Sequence, residues 1–341
     1  MNKTLKIIPA AFLPDRQAAM ANVKQVISPH RWIKAGNRRE EFAVDLFDRL
    51  WRRYRDRVIH VRTYERILHE AGATFVNDHI AFRTVGSQRP MLGIVLVARI
   101  FETLGYRAAS TYSFPGKHVG SIYYQHPNPS FPKLFISELR TWELSERSRR
   151  TILRAVRSHR PPLNDESIAA LRDFKRWSAA SQARLLELLD RYFTELPWDP
   201  PQRRDVLALN QESQFAAWVL VHGYNVNHFT VLVNSHNCEA LFDIEKTVAA
   251  LRRAGVPMKA AIERERGSKL RQSATEAVGI DVAVWAGRKR TWMPWTYAYL
   301  ELAERGEEID IGTVRRARFE GFLDGQATNL FDMTKFKHLR G

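Results

Sequence analysis

The sequence predicts an α+β fold in which two βαβββ modules form a cleft, with a helical layer before them and a helical insertion between them. Three observations support this prediction. Strand and helix patterns recur in the same order in two halves, the segment between the halves is charged and helical in period, and 341 residues suffice for two such modules. We therefore expect five segments: an N-terminal helical layer over 1–70, a first βαβββ module over 71–140, a helical insertion over 141–215, a second βαβββ module over 216–305, and a C-terminal segment over 306–341 that packs on the cleft.

The first module begins where a helical pattern gives way to a strand pattern. In the N-terminal layer, apolar residues such as Leu46 and Leu50 recur at four-residue spacing and predict helix. Residues 75–83 then predict a strand, because alternation along it places His79 and Arg83 on one face. The rest of the module is predicted as a helix over 90–104 and strands over 106–112, 119–124 and 134–139.

The second module repeats this order after the proline-interrupted helical insertion. It is predicted as a strand over 225–232, a helix over 243–254, and strands near 256–263, 269–276, 280–285 and 295–302. His228, near the start of its first strand, lies 149 residues after His79, and the helix of each half ends at a glycine, Gly105 or Gly255. Because a duplicated module places equivalent residues alike, we expect both histidines to face one cleft.

The strong positive charge attracts acidic partners but identifies none of them. Lys and Arg total 53 against 37 Asp and Glu, which gives a formal net charge of +16, and the arginines are scattered among acids. A basic nucleic-acid-binding protein is the alternative from another functional class, but the chain has no recognisable motif for that role. The longest apolar run, over 91–98, is far shorter than the roughly 20 residues of a membrane span. We expect neither nucleic acid nor membrane as a partner.

The single cysteine limits the chemistry. Cys238 alone can form neither an intramolecular disulfide nor a cysteine-built metal site, so a metal would be held by His, Asp and Glu. Residues 1–13 lack the pattern of a cleavable targeting segment. We therefore expect a reducing, cytoplasmic setting.

His79 and His228 are the first candidate metal ligands, and a carboxylate on a late strand is the third. Glu301 lies on the last strand of the second module, and Glu138 lies on the last strand of the first. Two neutral imidazoles and one carboxylate on one side of a divalent ion form the facial triad suited to Fe(II). If both carboxylates bound, the site would instead be the two-histidine, two-carboxylate centre of a glyoxalase-like isomerase or lyase.

The order of these motifs resembles the 2-oxoadipate dioxygenase/decarboxylase family of the vicinal-oxygen-chelate, glyoxalase-related superfamily. The resemblance rests on His79 with Arg83, on the Asn-His-Phe-Thr-Val stretch around His228, on 299–305, and on the ending over 319–326 and 330–332. Residues 299–305 are also similar to the final-strand motif of 4-hydroxyphenylpyruvate dioxygenase, in which the glutamate is the carboxylate ligand. The resemblance therefore favours Glu301 over Glu138 and implies the ligand set His79, His228 and Glu301.

The resemblance also implies the reaction. The family uses a non-haem Fe(II), which a 2-oxo acid chelates, and dioxygen, in a single-donor dioxygenase reaction that decarboxylates and hydroxylates the substrate. In the family 2-oxoadipate becomes 2-hydroxyglutarate and carbon dioxide, a step of lysine catabolism. Another divalent metal can replace Fe(II) in the protein as purified. The expected partners are a 2-oxo dicarboxylate and dioxygen, and the oligomeric state is left open.

Two residues are expected to contact the substrate. Arg83 lies four residues beyond His79 on the same strand face, about 13 Å along the backbone at roughly 3.3 Å per residue. Its guanidinium can bind a distal carboxylate bidentately, which makes it the candidate catalytic and substrate-binding residue. Gln272 lies on a second-module strand where related dioxygenases place polar substrate contacts.

Overall fold

A seven-stranded mixed sheet joins the two predicted modules. The computed structural model describes residues 28–310 and 315–323. The strands within these ranges are β1 (Asn77–Val85), β2 (Ser87–Gln88), β3 (Met91–Leu92), β4 (Arg107–Phe114), β5 (Val119–Gln125), β6 (Lys133–Leu139), β7 (Val226–Leu232), β8 (Leu270–Ala274), β9 (Gly279–Ala286), β10 (Lys289–Thr296), β11 (Glu301–Arg305), β12 (Glu307–Asp310) and β13 (Arg315–Arg318). The central sheet has the order β4-β5-β6-β1-β7-β11-β8, so the first strands of the two halves, β1 and β7, are antiparallel neighbours.

The helices within the described ranges lie before, within and between the strand groups. They are α1 (Arg38–Arg57), α2 (Ile59–Glu70), α3 (Ile94–Thr103), α4 (Glu146–Val156), α5 (Asp165–Arg172), α6 (Ala179–Tyr192), α7 (Arg203–Glu212), α8 (Gln214–His222) and α9 (Ile244–Arg253). No helix in the described part of the chain combines the length and apolarity needed to cross a membrane. This mixture of helices and a central sheet confirms the predicted α+β fold.

The first module forms as predicted. Its strands β1, β4, β5 and β6 and its helix α3 follow the βαβββ order, and β1 pairs in parallel with the last strand, β6. Helix α3 packs its apolar residues, including Val97 and Phe101, into the core. It ends before Gly105, whose φ of +108° is accessible to glycine but strained for other residues. The helix therefore returns the chain directly to β4.

The second module keeps the same plan with fewer regular strands. Here β7 pairs in parallel with β11, as β1 does with β6, and β11 pairs with β8. The predicted strand at 256–263 is wrong, since only Met258 and Glu263 form isolated bridges to the β8 region. Pro257 lacks a backbone donor, and most of the segment is solvent-exposed or half-buried, so little favours a regular ladder.

The predicted strand at 280–285 exists, but it belongs to another sheet. It lies in β9, which pairs with β10 in a separate two-stranded hairpin. One face of this hairpin packs Val284 and Trp295 against Ala217 and Val221 of α8. Because α8 buries that face, the hairpin does not extend the central sheet. The predicted strand at 295–302 is correspondingly divided between the end of β10 and the start of β11.

The N-terminal helices and the helices between the modules cover the sheet. On α1, Trp51 and Tyr54 pack against Phe229 of β7 with ring centroids 5.1 and 5.0 Å apart. Every residue of α8 after Gln214 is buried, and this helix places Phe215 and Trp218 beside Arg83 of β1. The segment boundaries drawn from the sequence stay predictions. The parts of the predicted outer segments before residue 28, at 311–314 and after residue 323 lie outside the described residues.

Candidate metal centre

A pocket whose empty space, counted together with space open to solvent, is about 530 Å³ lies where β1, β7 and β11 meet on one face of the central sheet. It is lined by polar residues at the strand centres and by an aromatic wall: His79, Ala81, Phe82, Arg83, Tyr112, Phe114, Phe135, Ser137, Asn227, His228, Gln272, Tyr299, Glu301, Phe322 and Leu323. All five site residues predicted from the sequence are among them.

The three candidate ligands come from three adjacent strands. His79 is on β1, His228 is on β7, and Glu301 is the first residue of β11. His79 Nε2 lies 3.5 Å from Glu301 Oε1, and His228 Nε2 lies 3.3 Å from Glu301 Oε2. One ligand atom from each residue lies within 4.8 Å of the other two, a spacing that can hold one metal ion. The structure therefore brings together the set predicted from the sequence.

Two β-bulges orient the histidines. In the β1–β7 ladder the register shifts at Asp78 on β1 and again at Asn227 on β7, and each shift inserts the residue just before a candidate ligand. Asp78 Oδ2 accepts a hydrogen bond from His79 Nδ1 at 2.8 Å, and Asn227 Oδ1 accepts one from His228 Nδ1 at 3.0 Å. A proton on Nδ1 leaves the lone pair on Nε2, so both imidazoles present Nε2 to the cavity.

Burial controls the charge of the ligand set. Burial lowers the pKa of His79, although Asp78 acts in the opposite direction, and burial lowers the pKa of His228 far below its usual value. Both imidazoles are therefore neutral, which is the form that binds metals. Burial also raises the pKa of Glu301 well above its usual value, and the nearby Glu263 adds to this shift. A positive ion beside Glu301 would offset that cost.

The carboxylate of Glu301 has one satisfied oxygen and one without a partner. Gln272 Nε2 on β8 donates to Oε1 at 2.5 Å. Oε2 is fully buried and has no hydrogen-bond partner. Buried polar atoms are rarely left unsatisfied, so this oxygen points to a missing ligand such as a metal ion. The predicted role of Gln272 in substrate binding stays a prediction, since its amide contacts Glu301 here.

Arg83 also lines the cavity, four residues beyond His79 along β1. The two residues lie on the same strand face, as the alternation predicted, with Ala81 between them. Arg83 is only 2% exposed, and its guanidinium lies 4.9 Å from the ring centre of Phe215 and 5.3 Å from that of Trp218. A buried positive charge thus lines the same cavity as the three candidate ligands.

Glu138, the alternative carboxylate, does not line the cavity. Its Oε2 accepts a hydrogen bond from the backbone N–H of Ile94 at 2.8 Å, at the start of α3. The strand register explains the difference: Ala81 pairs with Phe135 on β6, and Thr230, two residues beyond His228, pairs with Glu301 on β11. Phe135 is therefore the counterpart of Glu301 in the first half. Glu138 lies three residues further on and faces the opposite side, which excludes it as a fourth ligand in this arrangement.

A buried ion pair behind His79 was not predicted. Arg305 at the end of β11 binds Asp78 through two hydrogen bonds of 2.6 and 2.8 Å, and both side chains are almost fully buried. Arg305 also donates to the backbone carbonyls of Phe319 and Gly321 at 3.0 and 2.8 Å. Although burial opposes it, the nearby Arg305 holds the pKa of Asp78 well below its usual value, so Asp78 remains an anion and acceptor for His79. The sequence offered one sign of this contact: a polar residue, Asp78 or Asn227, comes directly before each candidate histidine.

Phe322, the residue after Gly321, closes one side of the cavity. Phe322 packs its ring edge-on against His79, with centroids 4.9 Å apart, and also contacts Phe135 at 4.9 Å. Its backbone N–H donates to the Tyr112 hydroxyl at 3.3 Å. Arg305 binds the carbonyls of Phe319 and Gly321, and it therefore also holds the backbone that places Phe322 in this aromatic wall.

Comparisons with known proteins agree with this architecture. The model of the 2-oxoadipate dioxygenase/decarboxylase family matches residues 46–333. A chloroplastic 2-oxoadipate dioxygenase/decarboxylase of Arabidopsis thaliana is 27% identical over 277 residues, which are 75% of this chain and 67% of the plant protein.

Two solved structures share the fold. A candidate glyoxalase superfamily protein from Ralstonia eutropha superposes with a TM-score of 0.75 at 23% identity, covering 91% of this chain and 95% of the other. The hydroxyglutarate synthase of Oryza sativa, solved in complex with 2-oxoadipate, gives a TM-score of 0.70 at 23% identity, covering 89% of this chain and 94% of the other. Because the family model spans most of the sequence, this chain belongs to the 2-oxoadipate dioxygenase/decarboxylase family of enzymes.

Proposed function

We propose that this protein is a non-haem Fe(II)-dependent enzyme that converts 2-oxoadipate and dioxygen into 2-hydroxyglutarate and carbon dioxide. The observation that carries the proposal is the convergence of two neutral histidines and one buried carboxylate in a cavity that also contains a buried arginine. The rice and Pseudomonas putida proteins of the same fold were solved as hydroxyglutarate synthases with 2-oxoadipate.

The residues fit a divalent metal of this kind. His79 and His228 offer nitrogen donors, and Glu301 offers a carboxylate whose second oxygen is buried without a partner. Two histidines and one carboxylate with open positions favour non-haem Fe(II). When bound, Fe(II) supplies adjacent positions for chelation by a 2-oxo acid and the electrons that activate dioxygen.

The side chains around the centre select and shield the substrate. Arg83 provides a guanidinium for the distal carboxylate, since planar carboxylates bind arginine bidentately. The aromatic wall, which includes Tyr112, Phe135 and Phe322, limits the access of water to the reacting atoms. Gln272 holds Glu301 by its amide and lines the cavity, so we expect it to contact a bound 2-oxo acid as well. The reaction needs no second organic substrate, because the 2-oxo acid itself supplies all four electrons that reduce dioxygen: two when carbon dioxide is lost and two when the shortened acid is hydroxylated.

The proposal extends to pathway and compartment. We place the reaction in lysine breakdown in the cytoplasm, whereas the matched Arabidopsis relative is chloroplastic. Cells that lack this protein should accumulate 2-oxoadipate when they are fed lysine. Fractionation with an antibody against the native chain should recover it with cytosolic markers, and recovery with organelles would overturn that part of the proposal.

Oxygen consumption tests the chemistry directly. Protein loaded with Fe(II) under argon should convert no 2-oxoadipate until oxygen is admitted, and should then consume one dioxygen for each carbon dioxide released. Turnover that is unchanged under argon would contradict an oxygenase. Glu301→Gln should abolish both oxygen uptake and Fe(II) binding, whereas Glu138→Gln should retain both, because Glu138 faces α3 rather than the cavity.

A further inference from the structure

The residues before the two histidines occupy matching bulges but differ in what their side chains leave unsatisfied. Asp78 binds His79 with one oxygen, and Arg305 contacts both of its oxygens. Asn227 binds His228 through Oδ1, and its Nδ2 has no hydrogen-bond partner. Both side-chain oxygens of Asp78 thus have partners within the protein, whereas only the oxygen of the Asn227 amide does.

The unpartnered amide lies at the cavity. Asn227 is 1% exposed, yet it is one of the residues that line the cavity beside His228. The bulge explains this position, because the extra residue on β7 turns its side chain to the same face as His228. Leaving a buried N–H donor without an acceptor is costly, so such a group in a cavity indicates a ligand that accepts hydrogen bonds.

Two other polar side chains at the cavity already have partners within the protein. Gln272 donates its amide to Glu301, and the Ser137 hydroxyl shares a hydrogen bond with Ser121 at 2.8 Å. Asn227 Nδ2 is therefore a donor available to a bound molecule next to the candidate metal ligands. The carboxylate and keto oxygens of a 2-oxo acid are acceptors only, which makes them suitable partners for an amide donor.

We propose that Asn227 has two roles: its Oδ1 fixes the orientation of His228, and its Nδ2 donates a hydrogen bond to an oxygen of the bound 2-oxo acid. This inference rests on the proposed function, because it takes the occupant of the cavity to be a 2-oxo acid held at the metal centre. It adds a substrate-binding residue that also positions a metal ligand. The pairing would couple the orientation of His228 to the presence of substrate.

Two substitutions separate the roles. Asn227→Asp keeps an oxygen for His228 Nδ1 but replaces the amide donor by a second acceptor. Asn227→Ala removes both. Asn164→Asp is the matched control, because Asn164 is an exposed helix N-cap at which Asp is equally suitable. Calorimetric titration under anaerobic conditions measures first the Kd of Fe(II) and then the Kd of 2-oxoadipate for the Fe(II)-loaded protein.

The expected pattern is specific. Asn227→Asp should bind Fe(II) within about threefold of wild type and 2-oxoadipate at least about tenfold more weakly, as expected for loss of a hydrogen bond to a charged ligand. Asn227→Ala should weaken 2-oxoadipate binding similarly at saturating Fe(II) and should also weaken Fe(II) binding about tenfold, as loss of a ligand's supporting partner does. Asn164→Asp should match wild type in both.

Three results would overturn the inference. Wild-type affinity for 2-oxoadipate in both Asn227 variants would remove the substrate contact. Wild-type affinity for Fe(II) in Asn227→Ala would remove the positioning role. If the Fe(II)-loaded wild type failed to bind 2-oxoadipate, the proposed function would fail together with this inference, and that result is distinct from normal wild-type binding with unaffected variants.

Discussion

Arg83 brings a fixed positive charge into a largely aromatic cavity. It is buried on β1, and the rings of Phe215 and Trp218 lie beside its guanidinium, an arrangement in which cation–π attraction offsets part of the cost of burial. Ala81 separates it from His79 along the strand, so the arginine and the candidate metal ligand line one cavity four strand residues apart. This spacing favours a substrate with an anionic group at each end.

Arg83→Gln tests this charge selection. Removing one partner of a buried charge pair costs about 2 kcal/mol or more, which corresponds to a roughly 30-fold weaker interaction. We expect the KM for 2-oxoadipate to rise by about that factor, whereas the KM for 2-oxohexanoate, which lacks the distal carboxylate, should change little. Arg99→Gln, at an arginine paired with the exposed Asp165, is the control. Steady-state kinetics with both acids, together with metal analysis, measures these effects. An equal rise in both KM values would contradict the binding of the distal carboxylate by Arg83.

The roles of some residues at the site follow from the sequence, and the roles of others depend on the fold. The equivalent positions of His79 and His228 could be predicted, because a duplicated strand places equal residues alike. Asn227 and Arg305 could not, since their roles depend on bulges and on contacts between β11, β1 and residues 319–321. Alternation predicts on which face of a regular strand each side chain lies, and a bulge shifts the residue that it inserts to the other face.

Strand register, an element-scale property, decides which glutamate faces the cavity. Glu138 and Glu301 both lie on the last strand of a half, so the repeat alone left both open as ligands, and the family resemblance of residues 299–305 favoured Glu301. The pairing of β6 with β1 and of β11 with β7 shows that they are three residues out of register. An odd offset in a strand reverses the face, so the structure gives the two carboxylates unrelated roles.

Glu138→Ala should therefore affect stability rather than metal binding. Glu138 accepts the Ile94 N–H at the start of α3, where Gly93 offers no side-chain cap. Loss of a helix-capping acceptor costs about 1 kcal/mol. We expect the free energy of unfolding to fall by that amount in urea titrations, with an unchanged Kd for Fe(II). A loss of Fe(II) binding would restore Glu138 as a ligand.

The Arg305–Asp78 ion pair connects three parts of the chain, so we expect it to stabilise the fold around the site. It joins β11 to β1 and holds residues 319 and 321 through their carbonyls. Arg305→Met would break the buried pair and leave Asp78 with only the more distant Lys133, whose Nζ lies 3.9 Å from Oδ1. Breaking a buried ion pair typically costs 3–5 kcal/mol. We expect this loss in the unfolding free energy of the metal-free protein.

A double variant supplies the control for that prediction. Asp78→Asn combined with Arg305→Met removes both charges, so it should destabilise less than the sum of the two single variants. Strict additivity in urea titrations would show that the two side chains do not interact energetically. The Asn in place of Asp78 retains an acceptor for His79, so the metal centre keeps that contact in the double variant.

The hairpin β9–β10 shows a different limit of prediction. Alternation over 280–285 correctly indicated a strand, but an alternating pattern does not show which sheet the strand will join. The outcome depends on α8, whose Ala217 and Val221 bury the apolar face of the hairpin. Where a partner element is distant in sequence, a pattern predicts the element and not its neighbours.

Across the whole molecule, the candidate centre joins the two halves of the chain. His79 belongs to the first half, whereas His228 and Glu301 belong to the second, and β1 and β7 pair at the junction. The formal net charge of +16 favours the approach of anionic molecules to the chain in general. Burial of Glu301 without a cation is unfavourable, since burial raises its pKa well above the usual value. The fold therefore gains stability when a cation binds at the junction.

This coupling predicts that metal binding stabilises the entire fold. A ligand that binds only the native state adds RT ln(1 + [L]/Kd), about 2.7 kcal/mol at a free concentration one hundred times Kd. Anaerobic thermal unfolding should show a higher Tm for wild type with Fe(II) than without it. Glu301→Gln should show no shift, and Glu138→Ala should start from a lower Tm but shift by the same amount as wild type. An equal shift in Glu301→Gln would mean that Fe(II) binds elsewhere, because that variant lacks the one carboxylate that both histidines face.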